Sequence, residues 1–212
     1  MGKITELREG KRSAKRVNIF VDGRFALALK TETVLKNRLK VGVELTEELV
    51  AELVGKDVIE RGMYVAERYL GYRPRSEVEI REKLKRQGFA EEVIDNIINR
   101  LKERGLVDDV AFARFWKENR DNFSPRSSWL TRQELRRKGV ADEAVDDVVK
   151  TDDDEANAYL AAQSKVRRLK AVEYEIFRRR LGEYLKRRGF SYGVIIRTIA
   201  RVWQEKETHN PA

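Results

Sequence analysis

The chain has no cysteine, one histidine and three prolines among its 212 residues, and no apolar run approaches the roughly 18 residues of a membrane span. Without thiols, disulfides and thiolate nucleophiles are excluded, and a reducing compartment is the natural setting. The single histidine, His209, stands beside Asn210 and Pro211 in the last residues, a place for a frayed tail and not for a catalyst. The N-terminus lacks a signal-peptide apolar segment. A soluble, cytoplasmic chain with no membrane partner is expected. Gly10-Lys11-Arg12-Ser13 and Gly55-Lys56-Asp57 each offer the Gly-Lys pair of a phosphate-binding loop. Both lack the glycine five residues earlier and the Ser or Thr directly after, so no nucleotide or other cofactor is expected.

Charge is abundant instead. Lys and Arg number 45 against 36 Asp and Glu, a net charge of +9, and the excess lies toward the two ends. Such a balance favours a polyanionic partner without choosing among DNA, RNA, a membrane or an acidic protein face. With 41% hydrophobic and 38% charged residues, slender helical layers suit the chain better than a thick interior.

Lys83-Leu84-Lys85-Arg86-Gln87-Gly88-Phe89, Glu134-Leu135-Arg136-Arg137-Lys138-Gly139-Val140 and Tyr184-Leu185-Lys186-Arg187-Arg188-Gly189-Phe190 repeat one design. Each is a basic helix end closed by glycine and an apolar residue, and a second aliphatic anchor, Ile94, Val145 or Ile195, follows each leucine by ten residues. The glycines recur at spacings of 51 and 50. A glycine at this place enters the left-handed region that closes a helix. Around each copy the apolar residues fall at helical spacing, which predicts a three-helix unit. Neither the second nor the third helix can bury its apolar stripe alone, so each unit must pack on its first helix and on the next repeat. The fold expected is mostly α, with three tandem three-helix repeats forming an elongated curved solenoid.

The first residues have a different period. Ile4 to Arg8 reads as a strand, and Arg16–Val21 and Arg24–Leu29 form a hairpin about Asp22-Gly23, which supplies the positive φ angles of a tight turn. A short helix starts near Thr31, Lys40–Leu45 returns as a strand, and Thr46 caps the next helix. A β-rich N-terminal module over residues 1–55, repeats over 56–107, 108–150 and 151–205, and a flexible tail over 206–212 follow. In the first repeat Tyr64, Val65, Tyr69 and Leu70 mark a helix that Tyr72-Arg73-Pro74-Arg75 breaks. Ser76 with Glu79 then forms a capping box.

Asp108-Asp109 and Asp152-Asp153-Asp154 could bind a divalent ion, yet both fall where a repeat's first helix begins and acidic residues complement the helix dipole. Capping is the stronger reading. Phe112, Phe115, Trp116, Trp129 and Trp203 could stack on bases, but at helical spacing they belong to the core.

The basic runs admit a solvated face or a functional surface. In the first copy Glu77 with Arg81, Glu79 with Lys83 and Glu82 with Arg86 are favourable i,i+4 pairs, so that charge is largely self-neutralised. Arg132, Arg136, Arg137 and Lys138 have only Glu134 among them, and Arg178-Arg179-Arg180 with Lys186-Arg187-Arg188 has only Glu183. Arg73 and Arg75 around Pro74, and Arg126 after Pro125, occupy equivalent breaks between helices.

Arg73-Pro74-Arg75-Ser76-Glu77 after an aromatic helix, Lys83-Leu84 to Gly88-Phe89, Gly105-Leu106-Val107-Asp108-Asp109, then Phe112-Ala113 and Trp116, together resemble the RecX family of recombinase regulators, and Glu134 to Val140 fits it too. The resemblance covers about residues 57–203, and the β-module resembles an extension present in some members. It implies a protein that is not an enzyme, a monomer that lodges in the groove of the RecA nucleoprotein filament and suppresses ATPase and strand exchange within the SOS response and DNA repair. The candidate filament-binding residues are Arg73, Arg75, Arg126, Arg132, Arg136, Arg137, Lys138, Arg178, Arg179, Lys186, Arg187 and Arg188. The third copy departs most from the family pattern, with a longer connection carrying Lys165-Val166-Arg167-Arg168-Leu169-Lys170. The rival reading is a stand-alone nucleic-acid-binding protein, and the third a structural adaptor; weak direct binding to DNA is compatible with the first. Against the rival, no helix gathers Arg, Asn and Gln for base-edge reading.

Overall fold

The computed structural model describes residues 2–10, 13–150, 154–167, 169 and 173–209. Lys11 and Arg12 of the first Gly-Lys pair, Asp152 and Asp153 of the second acidic cluster, Arg168 and Lys170 of the long connection, the side chain of His209 and the last three residues of the expected tail lie outside them. The fold is mostly helical, with a small three-stranded antiparallel sheet at the N-terminus followed along the chain by three three-helix repeats.

Strands β1 (Ile4–Gly10), β2 (Ser13–Val21) and β3 (Arg24–Lys30) pair in sequence order. The β2–β3 turn is at Asp22-Gly23, with φ of 50° and 78°, as its residue types require. Val17 opposes Leu29 and Ile19 opposes Leu27, an alternation that directs Ile19, Leu27 and Leu29 into a core with Ile4. Helix α1 (Thr31–Lys36) lies on β2 and β3 and adds Val34 to that core. Lys40–Leu45 forms no strand. Gly42 at φ 91° turns the backbone, and contact with the first strand is confined to bonds joining Gly42, Val43 and Leu45 to Ile4 and Gly2 and an isolated bridge between Lys3 and Glu44.

Thr46 caps the next helix by accepting from the Leu49 N–H at 3.2 Å. That helix, α2 (Glu47–Leu70), is continuous, so the helix expected after Thr46 and the one expected around Tyr64 are the same element. Leu53 near its start joins the core of the sheet. Further along, Gly62 lets Ile97 of α4 (Glu91–Glu103) approach; a Cβ there would lie 2.2 Å from Ile97 Cδ1.

Two compact units divide the chain: residues 1–72 with 81–103, and residues 73–80 with 104–212. The boundary runs inside α3 (Glu77–Arg86), whose first turn belongs to the second unit. In that unit follow α5 (Asp109–Phe123), α6 (Ser128–Arg137) and α7 (Asp142–Val148), then α8 (Asp154–Val166), α9 (Tyr174–Lys186) and α10 (Tyr192–His209). Phe112, Ala113, Leu135, Val140, Val145 and Val149 form the second repeat's core. Phe177, Leu181, Leu185, Ile195, Ile199 and Val202, with the alanines of α8, form the third. Gly88, Gly139 and Gly189 end the second helix of each repeat at φ of 81°, 78° and 84°.

Trp129 is the exception among the aromatics expected in the core: it is 61% exposed. Its position corresponds to Val78 of the first repeat, on the face that meets the following repeat.

Candidate functional site

The aspartates at the repeat starts cap helices, and they do so across repeats. Asp108 caps its own α5, accepting from Val110 and Ala111 at 2.8 and 3.0 Å. Asp109 instead accepts from the Glu77 N–H at the start of α3 at 3.0 Å, and Asp154 accepts from the Ser128 N–H at the start of α6 at 2.6 Å. Each repeat therefore caps the second helix of the one before it. At α9, the last such helix, Glu173 makes no side-chain cap.

Glycine and the residue before it complete the joint. A Cβ on Gly139 would sit 2.1 Å from Val78 Cγ2, and one on Gly189 2.5 Å from Ser127 Oγ and 2.9 Å from Leu130 Cβ. Lys138 donates to Glu79 at 2.6 Å, while Arg188 donates to Ser124 Oγ at 3.2 Å and the Pro125 carbonyl at 2.7 Å. The same position in two repeats thus reaches back to the preceding repeat. Lys138 and Arg188, both candidates for a filament contact, are used inside the protein.

Arg73 and Arg126 are used in the same way. Arg73 forks onto both oxygens of Glu79 at 2.9 and 3.0 Å, so Glu79 serves Arg73 and Lys138 rather than Lys83 or the capping box. Ser76 still accepts from the Glu79 N–H at 3.3 Å, which leaves the box half made. Burial raises the Glu79 pKa, but hydrogen bonds and charge from Arg73 and Lys138 outweigh it and hold the carboxyl below its ordinary value. Glu134 collects the Trp116 indole N–H at 2.9 Å, Arg120 at 2.7 Å and Arg126. Burial holds the Arg126 guanidinium below its ordinary pKa; Glu134 opposes the shift, and the charges of Arg120 and Arg188 add to it. Lys138, Arg120 and Arg73 stand 4.3, 4.6 and 5.8 Å from the Trp116 ring centre, a cationic cage about its face. Arg75 is half-buried.

Two helix-to-helix pairs and one pair within α9 account for three more candidates. Arg132 bonds Asp146 and the Val149 carbonyl, Arg136 bonds Asp142 at 2.6 Å, and Arg178 bonds Glu175 at 3.0 Å. The expected shortage of acids around Arg132, Arg136 and Lys138 is thus corrected. Their partners come from the third helix and from the preceding repeat, distances that i,i+4 counting cannot see.

Arg137, Arg179, Lys186 and Arg187 remain, with their neighbour Arg180. All are exposed, and among the described residues none makes a side-chain hydrogen bond or ion pair. Arg86, which was expected to pair with Glu82, is likewise exposed and makes none. Arg86, Arg137 and Arg187 each stand two residues before the closing glycine of their repeat. Aligning the repeats on that glycine identifies the row; counting charges within one helix hides it. At a helix C-terminus a cation is also favoured by the dipole. Among the described residues no group of three or more His, Cys, Asp or Glu could hold a metal ion, and no helix is long and apolar enough to cross a membrane.

Three-helix units with one exposed arginine each before the closing glycine define a tandem three-helix-repeat protein. Four family models match the chain: the regulatory protein RecX N-terminal domain over residues 2–46, and the first, second and third RecX three-helix domains over 64–101, 108–149 and 152–199. The chain belongs to the RecX family. Relatives named regulatory protein RecX include one from Clostridium botulinum (strain Alaska E43 / Type E3), 30% identical over 92% of this chain and 93% of that protein, and one from Bacillus pumilus (strain SAFR-032), 27% identical over 100% and 82%. A crystal structure of regulatory protein RecX matches with a TM-score of 0.65 at 27% identity, covering 92% of this chain and 97% of that one. The RecX structure from Lactobacillus salivarius matches at 0.57 and 26%, covering 69% and 97%.

Proposed function

We propose that this chain regulates homologous recombination without catalysis of its own: it binds the RecA nucleoprotein filament, lodges in its groove, and inhibits ATPase and strand exchange. Family membership supports recombinase regulation in general. The row Arg86, Arg137 and Arg187, exposed and without ion pairs at one position of each repeat, supports the finer reading. Arg179 and Lys186 add to it in the third repeat. Such cations are available to a partner lined by phosphates and carboxylates, because no internal acid must be given up. The chain acts in this reading as a cytoplasmic monomer.

The test is a RecA ATPase reaction on single-stranded DNA, titrated with the parent and with Arg137→Glu/Arg187→Glu. The variant should need at least about ten times more protein for half-inhibition, a loss of about 1.4 kcal/mol. Equal potency would falsify the assignment of these arginines. A DNA-only arm separates the rival nucleic-acid reading, which requires tight binding without RecA and an affinity falling log-linearly with salt.

A further inference from the structure

The third repeat lacks an ionic latch that the first two share. Three residues before the shared leucine stand Arg81, Arg132 and Gly182; eleven after it stand Asp95, Asp146 and Ile196. In the first repeat Arg81 bonds Asp95 at 2.7 Å, and in the second Arg132 bonds Asp146, tying the second helix to the third. In the third repeat the arginine is glycine and the aspartate is isoleucine. A second pair is altered the same way. Lys85 lies 3.8 Å from Glu91 and Arg136 2.6 Å from Asp142, but Lys186 has Tyr192 at the corresponding place.

Where both pairs are absent, a groove of about 790 Å³ lies between α9 and α10. Its lining includes Gly182, Phe190, Ile195 and Ile199, and a Cβ on Gly182 would touch Ile199 at 3.6 Å. Tyr192 and Ile196 are exposed members of its lining, 77% and 47%, and with the groove they form one continuous apolar face. On the rim Arg178 is neutralised by Glu175, which leaves Arg179 and Lys186 against Glu183.

We infer that this groove docks a protein segment carrying an aliphatic or aromatic anchor and a carboxylate. The anchor takes the space vacated at Gly182, between Tyr192 and Ile196. The carboxylate supplies to Lys186 the acid that Lys85 and Arg136 find within their own repeats. Ile195, Ile196 and Ile199 in the lining suit an aliphatic side chain, which favours a peptide; Tyr174 and Tyr192 are exposed rings that would also stack a base, so displacement of the acidic peptide by a single-stranded oligonucleotide would overturn the assignment. That the recombinase donates the segment rests on the function proposed above; the chemistry of the groove does not.

Gly182→Arg with Ile196→Asp closes the groove using the residue pair that the first two repeats already hold. Lys186→Glu is the second variant, altering one exposed side chain and filling nothing. The probe is a fluorescein-labelled amphipathic helical peptide with leucines at i, i+4 and i+7 flanked by glutamates, beside a copy with lysines for glutamates. Anisotropy titration of the parent should show saturable binding of the acidic peptide, at least about tenfold weaker in each variant and for the basic copy. No saturation by the parent, equal affinity in the closed variant, or no preference for the acidic peptide would overturn the inference. So would sedimentation showing a parent dimer that becomes monomeric on closure, since the occupant would then be a second copy. Filament binding, measured in parallel, decides the donor. Weakened filament binding in the closed variant supports the recombinase as donor, and unchanged filament binding overturns that assignment alone. A parent that fails to bind the filament overturns the proposed function, while the peptide titration still decides the groove.

Discussion

Gly139→Ala is the most informative single perturbation of the joint between repeats. Two terms add at this position. At φ 78° an alanine side chain is placed in the left-handed region, at a cost of about 1 to 2 kcal/mol. The new methyl also lands 2.1 Å from Val78 Cγ2 and 2.9 Å from its Cβ. A β-branched side chain cannot swing such atoms aside, because they are fixed to the backbone by one or two bonds. Overpacking of this kind costs about 1 to 3 kcal/mol, for a total of about 2 to 5. Gly88 supplies the reference: its φ is 81°, and a Cβ there meets nothing within 4 Å, so Gly88→Ala should cost only the backbone term. Urea unfolding followed by far-ultraviolet circular dichroism reads both, and a cycle with Val78→Ala isolates the contact. In the Val78→Ala background the Gly139 substitution should fall most of the way toward the Gly88 value, the 2.9 Å Cβ contact remaining. If Gly139→Ala and Gly88→Ala cost the same within about 0.5 kcal/mol, the stitching of repeats through this glycine is refuted.

Leu135→Ala removes a fully buried side chain from the second repeat's core and should cost about 2 to 5 kcal/mol; an unchanged melting temperature would remove Leu135 from that core. Glu79→Gln weakens the acceptor of Arg73 and Lys138 and should destabilise the chain by about 1 to 3 kcal/mol at neutral pH. Because the Glu79 carboxyl titrates below its unfolded value of about 4.3, its stabilisation is fully present above that pH and is lost as pH falls through the folded-state value. The gap between parent and Glu79→Gln should therefore narrow as pH falls below about 4.3 in urea titrations, and a gap that stays constant on acidification contradicts the assignment. Asp154→Ala takes away the acceptor of the Ser128 N–H while Ser127 still caps α6, and should cost about 1 kcal/mol, whereas divalent ions added at constant ionic strength should leave the melting temperature of the parent unchanged.

The three-helix repeats, the Asp22-Gly23 hairpin and the Thr46 cap were legible because local rules govern them: apolar period, turn chemistry and capping residues each act within a few positions. Lys40–Leu45 misled because its alternation resembles a strand while Gly42 supplies a backbone turn that alternation does not record. The candidate site was legible only as a class of residue. Lys138 and Arg188 look as free along the sequence as Arg137 and Arg187, and only contacts separated by 59 and 64 positions distinguish them. Arg86 was hidden by the opposite error, since a favourable i,i+4 spacing to Glu82 is an opportunity for a pair and does not oblige one to form.

The order of residues before the closing glycine now has a physical account. The side chain immediately before it, Lys138 or Arg188, runs back along the joint because the left-handed turn brings that end of the helix onto the preceding repeat. One position earlier the helix has rotated by about 100°, which carries Arg137 and Arg187 out to solvent. Two adjacent basic residues are therefore divided between cohesion and display by helical geometry alone. The first repeat fits the same rule: it has no preceding repeat to grip, and Gln87 stands where Lys138 and Arg188 do, while Arg86 at the displayed position is kept. A cation retained where only solvent faces it, and dropped where the joint is missing, is the pattern expected when the displayed charge serves something outside the chain.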